Sequence, residues 1–139
     1  MVDDMMLMHL GSSNLEKACL LNVFNGHAWT HRGHLLRQSL SVQPEEIDVL
    51  TGKDRMGFFT TGITLGNKKC SVIRDSISIE NDWTMDIRTK SQGGEPTYNI
   101  SLGKATKALV VVMGKEGIHG GQLNKKAFSM AEYLRKSGY

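Results

Sequence analysis

The clearest pattern of apolar and polar positions lies in the last third of the chain. Residues 108–113, Ala-Leu-Val-Val-Val-Met, are apolar throughout and rich in β-branched side chains, which predicts a strand buried on both faces. The loop at residues 114–121 contains four glycines, which permit tight turning. Residues 122–137 predict an amphipathic helix, and Gly138 follows as a C-terminal cap. The apolar stripe of this helix consists of Leu123, Ala127, Met130, Ala131 and Leu134.

Upstream of the buried strand, the pattern is that of a β-meander. Short segments of β-forming residues follow one another, with a turn signal such as Gly-Asn or Asn-Asp at each junction, which is typical of antiparallel pairing. The predicted strands are residues 58–65, 69–75, 76–80, 83–90 and 97–102, and residues 103–107 turn into the buried strand.

One face of this meander is predicted to be polar. Met85 and Ile87 point to one side of the sheet, whereas Asp86, Arg88 and Lys90 point to the other. The strand at residues 97–102 alternates in the same way, so the polar face is broad and net basic. Antiparallel sheets commonly leave one face in water, and the sequence therefore allows either a solvated surface or a basic docking surface.

The first third of the chain predicts a hairpin and a short helix. Asn25-Gly26 lies between two apolar runs and is a strong signal for a two-residue hairpin. Residues 44–52 predict a helix, because Pro44 suits the first helical turn. A short helix in the first ten residues and an irregular segment at residues 31–40 complete the pattern. The fold class is therefore α+β, an antiparallel meander flanked by N- and C-terminal helices.

Composition and charge narrow the class of partner. The 139 residues, 40% of them hydrophobic and 22% charged, are typical of one globular domain. Residues 68–139 carry twelve Lys and Arg against seven Asp and Glu, net +5, whereas residues 1–67 are net −2. This asymmetry favours an acidic partner for the second half, and a solvated basic surface is the alternative.

Other features bear on location. Cys19 and Cys70 lie in apolar, β-like contexts, where a free thiol behaves as a small hydrophobe. The N-terminus lacks the basic segment of a secretory signal, and the longest apolar run is too short to span a bilayer. We therefore expect a cytosolic protein.

The candidates for chemistry are weak. His27, His31 and His34 are spaced so that a hairpin does not bring them to one face, so we expect no metal site and no cofactor. His119 lies among glycines with no nucleophile or carboxylate nearby, so we expect no enzymatic activity. The glycine-rich loop lacks a phosphate-binding motif, and no aromatic and basic residues interleave as in RNA-binding proteins.

Four stretches carry a resemblance to a known family. They are GKDR at residues 52–55, KKCSVIRD at 68–75, MDIRTKSQGGEPTYN at 85–99 and VMGKEGIHGG at 112–121. They resemble vertebrate profilins, and among these the brain-type second isoform most. The similarity runs almost unbroken over residues 41–139, and we expect residues 1–139 to form a single profilin-like domain.

The resemblance implies a monomeric, cytosolic, non-enzymatic protein that binds monomeric actin, phosphoinositides and proline-rich proteins, and not nucleic acid. It also implies a sheet with the two terminal helices packed side by side on one face. Actin is acidic, which agrees with the charge of the second half. Carried over by position, the actin-facing residues are Thr60, Lys69, Ser71, Val72, Ile73, Arg74, Arg88, Lys90, Thr97, Asn99, Ile118, His119, Gly121, Asn124, Lys125 and Phe128.

The same resemblance implies two further sites. The phosphoinositide-binding residues are Lys69, Arg88, Lys90, Lys125, Arg135 and Lys136, and the polyproline-binding residues are Trp29, Tyr133, Leu134 and Tyr139. Profilins typically carry a Trp and a Tyr near the N-terminus that complete the polyproline groove, but residues 1–10 contain neither. We therefore predict weakened polyproline binding, and the alternative is an adaptor that retains it.

Overall fold

The computed structural model describes residues 15–22, 28–31, 43–66 and 68–139, and for the first two ranges it describes the backbone. The described residues form three helices, α1 (Pro44–Thr51), α2 (Phe58–Thr61) and α3 (Gly120–Lys136). They also form seven strands: β1 (Leu15–Asn22), β2 (Ala28–His31), β3 (Ile63–Leu65), β4 (Lys68–Ser76), β5 (Thr84–Thr89), β6 (Asn99–Lys104) and β7 (Ala108–Gly114). All strand pairs are antiparallel, and the order across the sheet is β2-β1-β7-β6-β5-β4-β3.

β7 lies in the interior of the sheet, between β1 and β6. Each of its residues is buried. Leu109 and Val111 face one apolar core, which we name the first core, whereas Val110 and Val112 face a second core on the opposite side. The predicted strand buried on both faces is confirmed, because a strand between two cores has no side that could be polar.

The second core lies between the sheet and α3. The predicted apolar stripe of α3 is buried there, which confirms the amphipathic helix. Gly103 allows β6 to approach this helix closely, because a Cβ at that position would lie 2.5 Å from the carbonyl oxygen of Ala127. The helix ends as predicted: Gly138 has φ +91°, and the N–H of Tyr139 donates to the carbonyl oxygen of Leu134.

The first core is closed by α1 and α2. The helix α1 begins at Pro44, as predicted, and the carboxylate of Glu46 accepts a hydrogen bond from the N–H of Gln43, at 2.9 Å. Ile47 and Leu50 of α1 are buried in the first core, where Phe58 of α2 joins them. These two short helices therefore cover the face of the sheet opposite α3.

The prediction of a single strand over residues 58–65 is wrong in its first half. Residues 58–61 form the helical turn α2, in which the hydroxyl of Thr61 donates to the carbonyl oxygen of Gly57, at 3.0 Å. Gly62, at φ +72°, ends the turn, and a Cβ there would lie 2.4 Å from the carbonyl oxygen of Cys70. The Phe-Phe-Thr-Thr segment has β propensity, but the turn that places Phe58 in the first core overrides it.

The predicted strand at residues 76–80 is also wrong. Ser76 ends β4 and pairs directly with Thr84 of β5, so the residues between them form the connection. The N–H of Ile79 donates to the carbonyl oxygen of Ser76, and Asn81 adopts φ +70°. The Ser-Ile-Ser-Ile alternation has the period of a β-strand, but the residues after Ser76 pair with no strand of the described sheet. Similarly, β6 extends to Lys104, so the turn into β7 is shorter than predicted.

The predicted hairpin near the N-terminus is confirmed in its strands. Leu20 of β1 pairs with Thr30 of β2, and β1 pairs along its length with β7. The turn at Asn25-Gly26 lies outside the described residues. So do the predicted first helix and most of the predicted irregular segment at residues 31–40.

Candidate functional site

Three residues of the predicted polar face lie side by side across the sheet. Ser71 of β4 pairs with Arg88 of β5, and Arg88 pairs with Asn99 of β6. The amide nitrogen of Asn99 donates to the carbonyl oxygen of Ile118, at 2.8 Å, and so connects this row to the segment before α3. Strict alternation along these strands therefore predicted their direction correctly.

A concavity of about 340 Å³ lies where this row meets the start of α3. Ile73 contributes an apolar side chain that is 58% exposed. Arg88 and His119 are exposed as well, so the concavity offers both charge and apolar surface. Five of the residues carried over from profilins line it, namely Ile73, Arg88, Asn99, His119 and Gly121.

A second concavity, of about 440 Å³, gathers lysine side chains at the end of the same strands. Lys69 and Lys90 line it, and the backbone N–H of Lys90 donates to the carbonyl oxygen of Lys69, at 2.9 Å. Lys68 also lines it but was not among the predicted residues, although the adjacent pair Lys68-Lys69 was a signal for it. Three ammonium groups against the single carboxylate of Glu95 leave this concavity net positive, which favours an anionic partner.

Arg74 lies at a bulge in β4 and is held by two carboxylates. The pairing of β4 with β5 shifts between Val72 and Arg74, which turns Arg74 to the side of Ser71 and α3. Its guanidinium contacts Asp86 at 3.2 Å and Asp82 at 3.0 Å. The charge of Arg74 is therefore largely compensated within the molecule.

The pKa values of this cluster reflect the pairing. Burial alone would lower the pKa of Arg74, but hydrogen bonds to Asp82 and Asp86 and their negative charges raise it above its ordinary value. Burial alone would raise the pKa of Asp82, but hydrogen bonds from Thr84 and Arg74 and the charge of Arg74 hold it below its ordinary value. Arg74 and Asp82 are therefore both charged at neutral pH.

The first turns of α3 add a third group of predicted residues. Asn124, Lys125 and Phe128 line a concavity of about 420 Å³, and Asp82 forms part of its rim. The amide nitrogen of Asn124 donates to Asp86 at 3.0 Å, so the sheet and the helix are directly connected at this point.

The remaining residues of the predicted actin-facing set are more scattered. Thr60 is exposed on α2, and Thr97 is half-buried just before β6. Val72 is only 8% exposed, and its side chain lies in the first core. Its side chain therefore cannot form part of a docking surface, because β4 turns it away from the polar face.

The candidates for polyproline binding divide in a similar way. Tyr133 is half-buried on α3, and Tyr139 packs against the second core. Leu134 is 1% exposed, so its side chain is buried in the second core and does not line a groove. Trp29 belongs to β2, which forms one edge of the described sheet and pairs with β1.

The predicted phosphoinositide residues lie in three separate places, one of which is Lys125 at the start of α3. Lys125 and Arg135 lie ten residues apart on α3, about 15 Å along the helix axis. The guanidinium of Arg135 stacks on the ring of Trp83, 4.2 Å from its centroid, and burial lowers the pKa of Arg135. Lys136 lies 3.9 Å from Glu132. Arg135 and Lys136 therefore belong to the far end of α3, and Lys69, Arg88 and Lys90 to the sheet.

A metal-ligand cluster and a membrane-spanning helix are both missing from the described residues. No group of three His, Cys, Asp or Glu residues there could hold a metal ion. Nor does that part contain a helix long and apolar enough to cross a membrane. Cys70 is a free, buried thiol, as predicted.

Comparison with known proteins identifies the family. The profilin family model matches residues 1–139, and the chain belongs to the profilin family. Rat profilin-2 is 71% identical over 99 residues, which are 71% of this chain and 71% of the rat protein. Mouse profilin-1 is 55% identical over 100 residues, 72% of this chain and 71% of the mouse protein.

The fold agrees with that of solved profilins. The structure of mouse profilin IIa in complex with a double repeat from the FH1 domain of mDia1 gives a TM-score of 0.86 at 54% identity. The similarity covers 96% of this chain and 95% of that chain. The predicted family and fold class are thereby confirmed.

Membership of the family defines the general function. Profilins are actin-binding proteins that regulate polymerisation and are not enzymes, so this chain is an actin-binding regulatory protein. Members of the family are cytoplasmic and associated with the actin cytoskeleton.

Proposed function

We propose that this profilin binds monomeric actin through one continuous face, where β4, β5 and β6 meet the start of α3. The observation that carries the proposal is the concavity of about 340 Å³, which joins residues from β4, β5, β6 and the α3 N-terminus in one surface. We name this surface the actin face. We also propose that residues 1–139 form a single profilin-like domain and that this protein acts in the cytoplasm, at the actin cytoskeleton.

The chemistry of the actin face suits an acidic partner. The exposed side chain of Ile73 supplies an apolar centre, Arg88 lines the same concavity, and Lys90 is exposed at the neighbouring concavity of about 440 Å³. An interface commonly combines an apolar centre with a charged rim, and complementary charge accelerates association. Binding of the monomer at this face then regulates polymerisation, loosening the nucleotide cleft of actin and permitting addition at barbed ends.

Charge reversal tests the location of this face. In the variant Arg88→Glu/Lys90→Glu, two exposed cations become anions that repel actin, and we expect a loss of affinity of several kcal/mol, at least about a hundredfold. Titration against fluorescently labelled actin monomers measures this loss. The matched control is Lys53→Glu/Lys107→Glu, which makes the same charge change at exposed positions away from the face.

The melting temperatures of both variants are measured first, because equal values ensure that the comparison concerns folded protein. If Arg88→Glu/Lys90→Glu binds actin as the control does, the docking surface is elsewhere.

We also propose that phosphoinositide headgroups compete with actin by binding at the concavity of about 440 Å³, at the end of the strands that carry the actin face. Lys69 and Lys90 line the concavity of about 440 Å³, together with Lys68, and each basic residue near an anionic surface contributes about 1 kcal/mol. The same variants provide the test. Vesicles containing phosphoinositide are expected to displace actin from the unmodified protein, and an actin complex that stays intact in the presence of these vesicles would refute the competition.

For proline-rich partners we propose weakened binding. The half-buried Tyr133 and the packed Tyr139 support a remaining aromatic surface, but residues 1–10 lack the Trp and Tyr of the family. The alternative, an adaptor with full polyproline binding, draws support from the complex of mouse profilin IIa with an FH1 repeat. A direct titration separates the two.

A further inference from the structure

A network of polar side chains joins the sheet to α3 beneath the actin face. Thr84 and Ser101 are fully buried, which is unusual for polar residues, and both belong to this network. The carboxylate of Asp86 accepts hydrogen bonds from the hydroxyl of Ser101 at 2.7 Å, from Asn124 at 3.0 Å and from Arg74 at 3.2 Å. One carboxylate on β5 thus connects β4, β6 and α3.

The N–H groups of Arg74 are almost all used within the network. Arg74 donates to Asp86, to Asp82, to the hydroxyl of Ser76 and to the hydroxyl of Thr84, which accounts for four of its five N–H groups. Arg74 therefore has little left to offer a partner. We infer that its contribution to the actin face is to hold Asp86 in place.

The same network fixes the orientation of the Asn124 amide. Its nitrogen donates to Asp86 and, at 3.1 Å, to the hydroxyl of Thr84, whose own hydrogen goes to Asp82. Rotating the amide by half a turn would place its oxygen against a carboxylate and against a hydroxyl already committed as a donor. The carbonyl oxygen of Asn124 therefore points away from Asp86 and Thr84, and since Asn124 lines the concavity of about 420 Å³, this oxygen can accept a hydrogen bond from a donor on the partner.

We propose that Asp86 is a positioning residue for actin binding, which acts through Asn124 and sets the start of α3 relative to the sheet. This inference rests on the proposed actin face, because the sheet and α3 each supply part of that face. Asp86 lines the concavity of the actin face, but its side chain is only 17% exposed and its carboxylate is occupied by three donors, so it offers a partner little contact of its own. Its effect on actin reaches the partner through Asn124.

The variant Asp86→Asn tests the proposal because the loss of charge and the loss of positioning change the affinity for actin in opposite directions. Removing a negative charge from a basic face would, by electrostatics alone, strengthen binding to acidic actin. Loss of positioning weakens binding instead, because the new amide nitrogen opposes the nitrogen of Asn124 or of Arg74. We expect actin affinity to fall roughly tenfold. The matched control is Glu116→Gln, which makes the same charge change at an exposed site outside the network and is not expected to weaken binding.

A rescue variant separates positioning from general damage. In Asp86→Asn/Asn124→Asp the donor and the acceptor between β5 and α3 exchange places, and the hydroxyl of Thr84 can turn its hydrogen from Asp82 to the new carboxylate. We expect this double variant to recover part of the lost affinity. If Asp86→Asn folds poorly, Arg74→Lys replaces it, because a lysine keeps the charge but cannot bridge four acceptors, and weaker actin binding is again expected.

The outcomes distinguish this inference from the proposed function. If Asp86→Asn binds actin as tightly as the unmodified protein, or more tightly, the positioning role is refuted. The actin face still stands in that case, provided that Arg88→Glu/Lys90→Glu loses binding. If that charge-reversal variant binds normally, the face itself is wrong, whatever Asp86→Asn does.

Discussion

Cys70 illustrates how burial sets the chemistry of a single side chain in this fold. It lies on β4 in the first core, fully enclosed. Burial raises the pKa of its thiol to about 11, and the positive charge of Lys68 opposes this rise only in part. Because the thiolate is the reactive form, this thiol is protonated and inert at neutral pH.

This pKa predicts how stability depends on pH. The unfolded thiol ionises near pH 8.5, well below the folded value, so the unfolded state loses its proton first and stability falls as pH rises above about 8.5. Urea unfolding between pH 7 and 10 checks this in Cys19→Ser, which leaves Cys70 as the sole thiol. In Cys19→Ser/Cys70→Ala this part of the pH dependence is expected to disappear, and its persistence would assign it to another group.

The direction of single side chains was predictable where it follows from local alternation. Arg88 and Cys70 point as the sequence predicts, because their strands are regular at those positions. Arg74 was not predictable in this way, because the bulge after Val72 reverses its direction. Its partners, Asp82 and Asp86, form no sequence motif with it, and only the pairing of strands brings them together.

Among the elements, the contact between β6 and α3 depends on one missing side chain. A Cβ at Gly103 would lie 2.5 Å from the carbonyl oxygen of Ala127 and 3.0 Å from the Cβ of Ala131. Both neighbours are fixed parts of α3, one of them backbone, so neither can yield cheaply. The helix α3 therefore packs against β6 at a distance that only a glycine at position 103 permits.

We expect Gly103→Ala to destabilise the protein by about 3 kcal/mol, because the added methyl group pushes α3 away from the second core. Thermal unfolding should show a fall in Tm of roughly 10 °C. The control is Gly57→Ala, where a Cβ meets nothing within 4 Å and φ is −83°, so Tm should hardly change. Equal Tm values for the two variants would show that α3 can move without cost.

The elements that the sequence predicted best carry a long, regular pattern. Residues 108–113 and the stripe of α3 repeat the same signal over several turns or positions, and the structure follows it. The turn α2 and the connection after Ser76 are short, and their residues favour strands locally. The packing of Phe58 determines the conformation of α2, and the direct pairing of β4 with β5 determines that of the connection after Ser76. Both are contacts between distant residues, which a local sequence pattern does not contain.

At the scale of the whole molecule, the proposed actin and polyproline surfaces use different ends of α3. Asn124 and Lys125 belong to its beginning, next to the sheet face, whereas Tyr133 and Tyr139 belong to its end. The two surfaces are therefore separate enough for actin binding to survive changes that weaken polyproline binding. The actin face was accessible to sequence analysis, since the resemblance to profilins extends over residues 41–139.

We predict barely detectable binding of a polyproline peptide by the unmodified chain. Such a peptide binds as a polyproline II helix laid across aromatic rings, and each ring is a hot spot of roughly 2 kcal/mol or more. Loss of two rings can weaken binding about a thousandfold. Titration of the variant Trp83→Phe measures this, because Trp29 is then the sole tryptophan and its fluorescence reports on the peptide.

Restoring the missing rings provides the comparison. The variant Asp3→Trp/Met6→Tyr, followed by calorimetry, is expected to bind the peptide more tightly and to melt at a higher temperature, since large rigid rings bury more apolar surface than methionine or aspartate. Micromolar affinity of the unmodified chain would contradict the prediction and show that Trp29, Tyr133 and Tyr139 suffice.

The order of the strands also determines how the molecule meets copies of itself. β2 and β3, which form the two edges of the described sheet, have four and three residues and are its shortest strands. An open strand edge is a template on which another chain can add a strand, and a short edge offers few free N–H and C=O groups. The long apolar strand β7, which would be the most hazardous edge, is enclosed between β1 and β6. The fold therefore limits edge-to-edge aggregation, independently of any partner that it binds.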